Sequence, residues 1–244
     1  MDQNTAFLEL KYGNIYGGYP NFYAISEVAF LLYEPKTQRI FLESWKNEVD
    51  VDVVNVYSKV NELGNTIGKI REVVNLRTGR KKDFDEEYKL GEEDLDVSFD
   101  ALRPTRAPMR MFLERAFRKY RFRNIITFDG NRDVFLCQKA RVRFDRYDII
   151  DLQKSITKQT NYLFSLNKLS KVVGFKADYG FLKSNNLEYR LHPIASRQIT
   201  PKTAAWDAAR LLMVHNEYMD QRDDFLMKGA LLLNKIESSR KPAE

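Results

Sequence analysis

Short apolar segments rich in aromatic and β-branched residues dominate the N-terminal part of the chain. They cover residues 6–10, 24–33 and 39–43, and segments that contain glycine or proline separate them. Apolar runs between turn-forming residues are typical of β-strands, so this pattern predicts a three-stranded antiparallel meander. Residues 49–102 follow with a weak, polar pattern, which we interpret as an elaborated connection.

The middle of the chain changes to a helical period. Apolar residues recur there at i, i+3, i+4, i+7, i+8 and i+11, namely at Met109, Phe112, Leu113, Ala116, Phe117 and Tyr120. This spacing places them on one face of a helix of about three turns. Two short buried strands are predicted after it, at 124–128 and 147–152, with a helix at 133–140 between them. Strands that alternate with helices indicate parallel pairing.

The C-terminal third of the chain has the pattern of helices. They are predicted at 163–173 and 201–219, the second with Thr200 as its N-cap and Pro201 at its first position. We expect residues 1–237 to form a single domain and residues 238–244 to form a flexible tail. The predicted fold class is therefore α/β, with a mixed five-stranded sheet flanked by helices.

The composition excludes several classes of protein. Apolar residues make up 43% of the chain and aromatic residues 13%, which predicts a folded protein with a sizeable core. No apolar run approaches the roughly 18 residues of a membrane-spanning helix, and the N-terminus lacks the pattern of a signal peptide. The single cysteine, Cys137, is predicted to lie in the core. These features predict a cytoplasmic protein without a membrane partner.

The positive charge of the chain is segregated. The 40 Lys and Arg residues exceed the 34 Asp and Glu residues by six, and eight basic residues but only one acidic residue lie within residues 103–123. Two interpretations of this basic belt stand, a solvated helix face or a track for nucleic-acid phosphates. In the second, the candidate binding residues are Arg106, Arg110, Arg118 and Arg121.

Three segments carry candidate chemistry: FLELK (7–11), GNRDVFL (130–136) and AAWDAARLL (204–212). Their order and spacing resemble the motifs of the DEDD exonucleases of the DEDDh type, a family with a ribonuclease H-like fold, and the resemblance covers residues 6–218. It implies that Glu9, Asp133 and Asp207 converge at the ends of neighbouring strands. It also implies that these carboxylates hold Mg²⁺ or Mn²⁺ ions, because hard cations prefer oxygen ligands.

The first and third motifs depart from the family pattern. Lys11 stands where the family has a glutamate, and Lys202 stands where it has a histidine five residues before the last aspartate. A lysine at the first of these positions opposes the binding of a cation. His192, fifteen residues before Asp207, is a candidate general base, with a surface histidine as the alternative. His215 is predicted to be a hydrogen-bonded histidine of the core.

The acidic residues have structural alternatives to a catalytic role. Asp133 can be a metal ligand, or it can complement the N-terminal dipole of its helix. Asp207 is predicted about two turns beyond the start of its helix, out of reach of that dipole, which favours a site. Glu27 or Asp129 could replace the missing ligand.

Three functions follow as expectations. The first is a protein that binds a nucleic-acid single strand or 3′ end, with an exonuclease-like site that is degenerate and needs no cofactor. The second is an active 3′-to-5′ exonuclease on single-stranded DNA or RNA that depends on Mg²⁺ or Mn²⁺. The third is an interaction or structural subunit of a larger assembly, which uses the acidic residues 83–100 against a basic protein partner. The positive charge of Lys11 places the first function ahead of the others.

Overall fold

The chain folds into a mixed α/β structure built on one large sheet. A computed structural model describes residues 3–15, 23–60, 66–83 and 99–238. In these ranges the large sheet contains β1 (Thr5–Ile15), β2 (Tyr23–Glu34), β3 (Arg39–Lys46), β4 (Asp52–Val60), β5 (Thr66–Asn75), β6 (Lys81–Asp83), β7 (Asn124–Thr127) and β8 (Asp148–Asp151). A small sheet contains β9 (Lys176–Asp178), β10 (Phe181–Lys183) and β11 (Glu188–Arg190). The helices are α1 (Phe99–Lys119), α2 (Asn131–Lys139), α3 (Leu152–Thr160), α4 (Leu166–Val172), α5 (Pro193–Gln198), α6 (Ala204–Asp220) and α7 (Arg222–Ser238).

Strand β1 lies at the centre of the large sheet. One of its edges pairs antiparallel with β2, and β2 pairs antiparallel with β3, so the predicted meander is confirmed. Its other edge is shared, because residues 5–7 pair in parallel with β7 while Asn14 and Ile15 pair antiparallel with β4. Strand β8 continues the sheet in parallel beyond β7. Residues 8–13 consequently leave a gap along this edge of β1, between β7 and β4.

The sheet has eight strands in the described part of the chain, where the sequence predicts five. The region 49–102, interpreted as an elaborated connection, supplies β4, β5 and β6, which pair antiparallel with one another. These strands join β1 through only two residue pairs, Asn14 with Val54 and Ile15 with Val53. Most residues of β4, β5 and β6 pair only with residues of these same three strands. Their sequences therefore have no long apolar run of the kind that marks a strand buried on both faces.

Two apolar cores cover the two faces of the sheet. Helices α1 and α2 pack on one face, against residues such as Leu8 and Phe30, and α3 to α7 pack on the other, against Phe7 and Leu31. Successive residues of β1 and β2 therefore point to different cores, as strand geometry requires. Cys137 is buried in the first core, as predicted. No helix in the described ranges has the length and apolar character to cross a bilayer.

The start of α6 differs from the prediction. The hydroxyl of Thr203 accepts a hydrogen bond from the N–H of Trp206 (3.1 Å), so Thr203 is the N-cap and the prediction of Thr200 is wrong. Thr200 belongs to the preceding turn, where its carbonyl accepts a hydrogen bond from the Thr203 hydroxyl (2.7 Å). Asp207 therefore lies in the first turn of α6, within reach of the helix dipole.

Strand β8 is exposed, whereas the sequence predicts a buried strand. Ile149 and Ile150 are 38% and 37% exposed, because β8 lies beyond β7 at the edge of the described sheet. The apolar run was a correct signal for a strand but not for its burial. Most of the acidic segment 83–100, residues 84–98, and all but the first residue of the predicted tail, residues 239–244, lie outside the described residues.

Glu217 attaches the small sheet to α6. It is 2% exposed, and its carboxylate accepts hydrogen bonds from the hydroxyl of Ser184 (2.5 Å) and from the main-chain and side-chain N–H groups of Asn186 (2.9 Å each). A buried carboxylate is stable only when hydrogen bonds or charges satisfy it. Glu217 therefore stabilises the turn between β10 and β11.

We expect Glu217→Ala to lower the free energy of unfolding by about 2–4 kcal/mol, because three donors of a partly buried turn lose their acceptor. Urea denaturation followed by circular dichroism measures the loss. The control is Glu188→Ala, since Glu188 is exposed and forms a surface ion pair with Lys183 at 3.1 Å, worth about 0–1 kcal/mol. Equal losses for the two variants would contradict the role of Glu217.

Candidate functional site

The gap in the edge of β1 is the place where the candidate carboxylates meet. Asp133, in the first turn of α2, accepts a hydrogen bond from the backbone N–H of Leu10 in this gap. The contact satisfies a backbone donor that no described strand covers, and it holds α2 against the centre of the sheet. Glu9 is next to Leu10 and lies within electrostatic reach of both Asp133 and Asp207.

Asp207 is enclosed by two cations. The Lys11 Nζ donates a hydrogen bond to Asp207 Oδ2, and the Arg210 Nη2 donates to Oδ1. The side chain of Asp207 is 10% exposed, and that of Arg210 is 16% exposed. Both oxygens of the carboxylate are thus engaged by positively charged groups of the protein itself.

Glu9 is a buried carboxyl group with an unsatisfied oxygen. It is 8% exposed, and its Oε1 has no hydrogen-bond partner among the described residues. Burial raises the pKa of Glu9 well above its ordinary value, and the charges of Asp133 and Asp207 raise it further, against the opposing effect of Lys11. Glu9 therefore binds a proton more tightly than an ordinary glutamate does.

The neighbours of Glu9 also titrate abnormally. Burial raises the pKa of Asp133 to about 7, although the hydrogen bond from Leu10 and the charge of Lys11 act in the opposite direction. Burial and the charge of Asp133 raise the pKa of the Tyr12 hydroxyl to about 12, and Tyr12 is also hydrogen-bonded to Arg132. The cluster therefore carries less negative charge at neutral pH than its number of acidic residues suggests.

The structure brings Glu9, Asp133 and Asp207 together from β1, α2 and α6, as the resemblance implies. Within the described ranges, however, no three Asp, Glu, His or Cys side chains form a group that can hold a metal ion. Asp207 in particular directs its oxygens at Lys11 and Arg210. The side chains as arranged do not fit the two divalent cations that the resemblance implies.

The two carboxylates considered as replacement ligands both have local contacts. Glu27 of β2 accepts a hydrogen bond from the N–H of Ala204 (2.9 Å), so it caps the start of α6. Asp129 follows β7 with a φ of 52°, and its N–H donates to the carboxylate of Asp151 (3.2 Å). The charge of Asp129 raises the pKa of Asp133, so Asp129 lies close to the cluster. Glu27 is instead hydrogen-bonded to the start of α6.

The two histidines have structural roles outside this cluster. His192 is exposed and caps α5, where its Nδ1 accepts a hydrogen bond from the N–H of Ile194 (3.3 Å). Helix α5 contacts β3, which is separated from β1 by β2, so His192 is not brought to the carboxylates. His215 is buried, with its Nδ1 2.9 Å from Asn216 Oδ1, which confirms a hydrogen-bonded core histidine.

The four candidate arginines of the basic belt do not form one compact patch. Arg106 and Arg110 are half-buried in the middle of α1, whereas Arg118 and Arg121 are exposed at and beyond its C-terminal end. A rise of about 1.5 Å per residue separates the first and last of them by roughly 20 Å. Glu114 lies between Arg110 and Arg118 in the sequence, and its Oε1 is 3.7 Å from the Nε of Arg110. A phosphate track along α1 would therefore be extended.

Comparisons of the chain with family models, with curated proteins and with solved structures found no match. The identity of the site therefore depends on its own geometry.

Arg210 and Tyr12 belong to the cluster although neither was predicted from the sequence. Arg210 follows Asp207 by three residues, a spacing that places the two side chains side by side on a helix, so the pair was detectable. Tyr12 had no such signal, because its contact with Arg132 joins residues that are far apart in the sequence.

The raised pKa values make the stability of the protein depend on pH. A carboxyl group with a raised pKa in the folded state binds its proton more tightly there than in the unfolded chain, so the free energy of unfolding falls as pH rises from about 4 to about 7. We expect Asp133→Asn to remove part of this fall and to be more stable than the wild type at pH 8, by on the order of 2 kcal/mol.

Urea denaturation at pH 5 and pH 8 measures this effect. Asparagine retains an oxygen that can accept the hydrogen bond from Leu10, so the substitution mainly removes the charge. The control is Asp145→Asn, because Asp145 is exposed. A greater loss of stability at pH 8 than at pH 5 for Asp133→Asn would show that the buried carboxylate is favourable when charged.

Proposed function

We propose that the chain is a nucleic-acid-binding protein with a ribonuclease H-like, exonuclease-like fold in which an ion-pair network replaces the metal site. The strand order β3-β2-β1-β7-β8 supports this fold, because it combines an antiparallel meander with two parallel strands beside the first. On this interpretation β4, β5 and β6 are an insertion at the end of β1. The small sheet is a second addition, placed before α6.

The proposal of a degenerate metal site depends on one observation, the pairing of Asp207 with Lys11 and Arg210. A divalent cation at this carboxylate would have to displace two positive groups, one from the central strand and one from the same helix. Breaking partly buried ion pairs leaves uncompensated charges, which is costly in a site of low dielectric constant. These two ion pairs therefore compete with a metal ion for the carboxylate of Asp207, which the resemblance implies to be a metal ligand.

Nucleic-acid binding is supported by the exposed basic residues. Arg118 is exposed and donates through its Nε to the carbonyl of Glu114 (3.1 Å), and Arg121 is exposed directly after α1. Arginine binds phosphates through its planar guanidinium group, and such contacts weaken as salt rises. The chain as a whole has a net charge of +6.

One observation favours the alternative function, an active metal-dependent 3′-to-5′ exonuclease. The orphaned Oε1 of Glu9 is buried beside Asp133, and an unsatisfied carboxylate oxygen of this kind is a potential cation ligand. Glu9 and Asp133 alone would then hold the cation, with Asp207 joining only after its ion pairs break. The proposed function and this alternative differ in whether a strand is bound or degraded.

A single experiment compares the two functions. We expect labelled single-stranded DNA or RNA, incubated with the protein and Mn²⁺, to show a mobility shift that weakens with salt, and no ladder of shortened products. Arg110→Glu combined with Arg118→Glu should lower the affinity at least tenfold, because two phosphate contacts become repulsive.

The control for the double variant is Arg190→Glu combined with Arg197→Glu, which makes the same charge change at two exposed arginines of β11 and α5. Affinity that does not respond to salt, or that falls equally in both double variants, would reject the α1 surface. Degradation that disappears in Asp133→Ala would establish the exonuclease instead.

A further inference from the structure

A cavity of about 290 Å³ lies where the ends of β1, β2 and β3 meet the strands β4 to β6 and the turn before α6. Among the described residues, four lysines and one carboxylate, Glu27, belong to its lining. The lysines are Lys11, Lys46, Lys81 and Lys202. They come from β1, from the last residue of β3, from the first residue of β6 and from the turn before α6, so only the tertiary fold brings them together.

The two lysines that depart from the exonuclease pattern both line this cavity. Lys11 replaces a glutamate of the pattern and Lys202 replaces a histidine, and they are 191 residues apart in the sequence. One such lysine could have little effect on its surroundings. Two lysines at the same cavity make the electrostatic potential there more positive. The cavity therefore attracts anions beside the carboxylates at which the pattern implies cations.

The acidic groups near the lysines are already engaged. Glu27 accepts the hydrogen bond from the N–H of Ala204, and Asp207 is paired with Lys11 and Arg210. Within the described part of the chain, neither Lys46 nor Lys202 forms an ion pair, and both are exposed at the rim. Lys46 and Lys202 thus add positive charge to the cavity that no carboxylate in the described part of the chain pairs with.

Lys202 occupies a strained backbone conformation. Its φ of 73° is in the left-handed region, which residues other than glycine rarely adopt, and it lies directly before the N-cap Thr203. The turn is closed by the hydrogen bond from the Thr203 hydroxyl to the carbonyl of Thr200 (2.7 Å). This backbone places Lys202 at the cavity in spite of its conformational cost.

Ser26 adds a neutral hydroxyl group to the lining. Ammonium groups together with a hydroxyl donor match the oxygens of a phosphate, which accept several charge-assisted hydrogen bonds at once.

We propose that this cavity binds a phosphate group of a nucleic-acid strand. The inference rests on the proposed function for the identity of the ligand, while the anion site itself rests only on the lysines. A free nucleotide has the same phosphate chemistry, so the test must distinguish the two sources.

The test uses Lys46→Gln combined with Lys202→Gln, which removes two charges at exposed positions of the rim. We expect its affinity for a labelled single strand at 100 mM salt, measured by fluorescence anisotropy, to fall about tenfold. The slope of log affinity against log salt should become smaller by about 0.7 for each phosphate that the variant no longer neutralises. Lys158→Gln combined with Lys171→Gln makes the same charge change at exposed positions of α3 and α4, and should stay within twofold of the wild type.

Calorimetric titration with adenosine 5′-monophosphate and with inorganic phosphate forms the second arm. If the wild type binds the strand and the rim variant binds it equally well, the cavity proposal is overturned while the proposed function stands. If the wild type binds no strand but binds the nucleotide, and the rim variant does not, the anion site stands and a free nucleotide is its ligand. If the wild type binds neither strand nor phosphate, both proposals are overturned.

Discussion

The ion pair between Lys11 and Asp207 joins the central strand of the sheet to the central helix of the larger core. It links residues that are 196 positions apart, and Arg210 completes it from one turn further along α6. Each charge would be unfavourable by itself at this depth, so the three groups depend on one another. Burial is the main cause of the raised pKa of Glu9, and the charges of these three groups modify it. A change at any of them alters both the packing of α6 and the electrostatics of the cluster.

Lys11 separates two regions of opposite character. On one side are Glu9 and Asp133, two carboxyl groups whose pKa values burial raises, that of Asp133 to about 7. On the other is the cavity that Lys46, Lys81 and Lys202 line together with Lys11. An arrangement suited to cations would require ionised carboxylates that are free to bind. Here Asp207 is paired with two cations, and burial raises the pKa of Glu9 and of Asp133. The positive region is the more available one for a ligand, which is why both proposals concern anionic partners.

The sequence predicted the parts of the fold that local patterns encode. The meander, the helix α1 and the elements 124–127 and 131–139 have clear apolar periods, and the structure contains each of them. The hairpin of β4 and β5 and the small sheet were missed, because short or self-paired strands need few apolar residues. The resemblance to the exonuclease motifs implied the proximity of Glu9, Asp133 and Asp207, and both aspartates lie within electrostatic reach of Glu9. Arg210 was detectable as a partner of Asp207 from its spacing on the helix. The pairing of Lys11 with Asp207 and the lysine cavity were not predictable, because they depend on long-range packing of charged side chains.

Manganese binding to the wild type and to Lys11→Gln tests most directly whether Lys11 occupies the place of a cation. Titration at pH 8, followed by the electron paramagnetic resonance of free Mn²⁺, measures it. Removing the positive charge leaves Asp207 paired with Arg210 alone and lowers the electrostatic opposition to a divalent ion. We expect weak binding to the wild type and an affinity at least tenfold higher for Lys11→Gln. Tight binding to the wild type that Lys11→Gln leaves unchanged would contradict the replacement of the metal site by the ion pair.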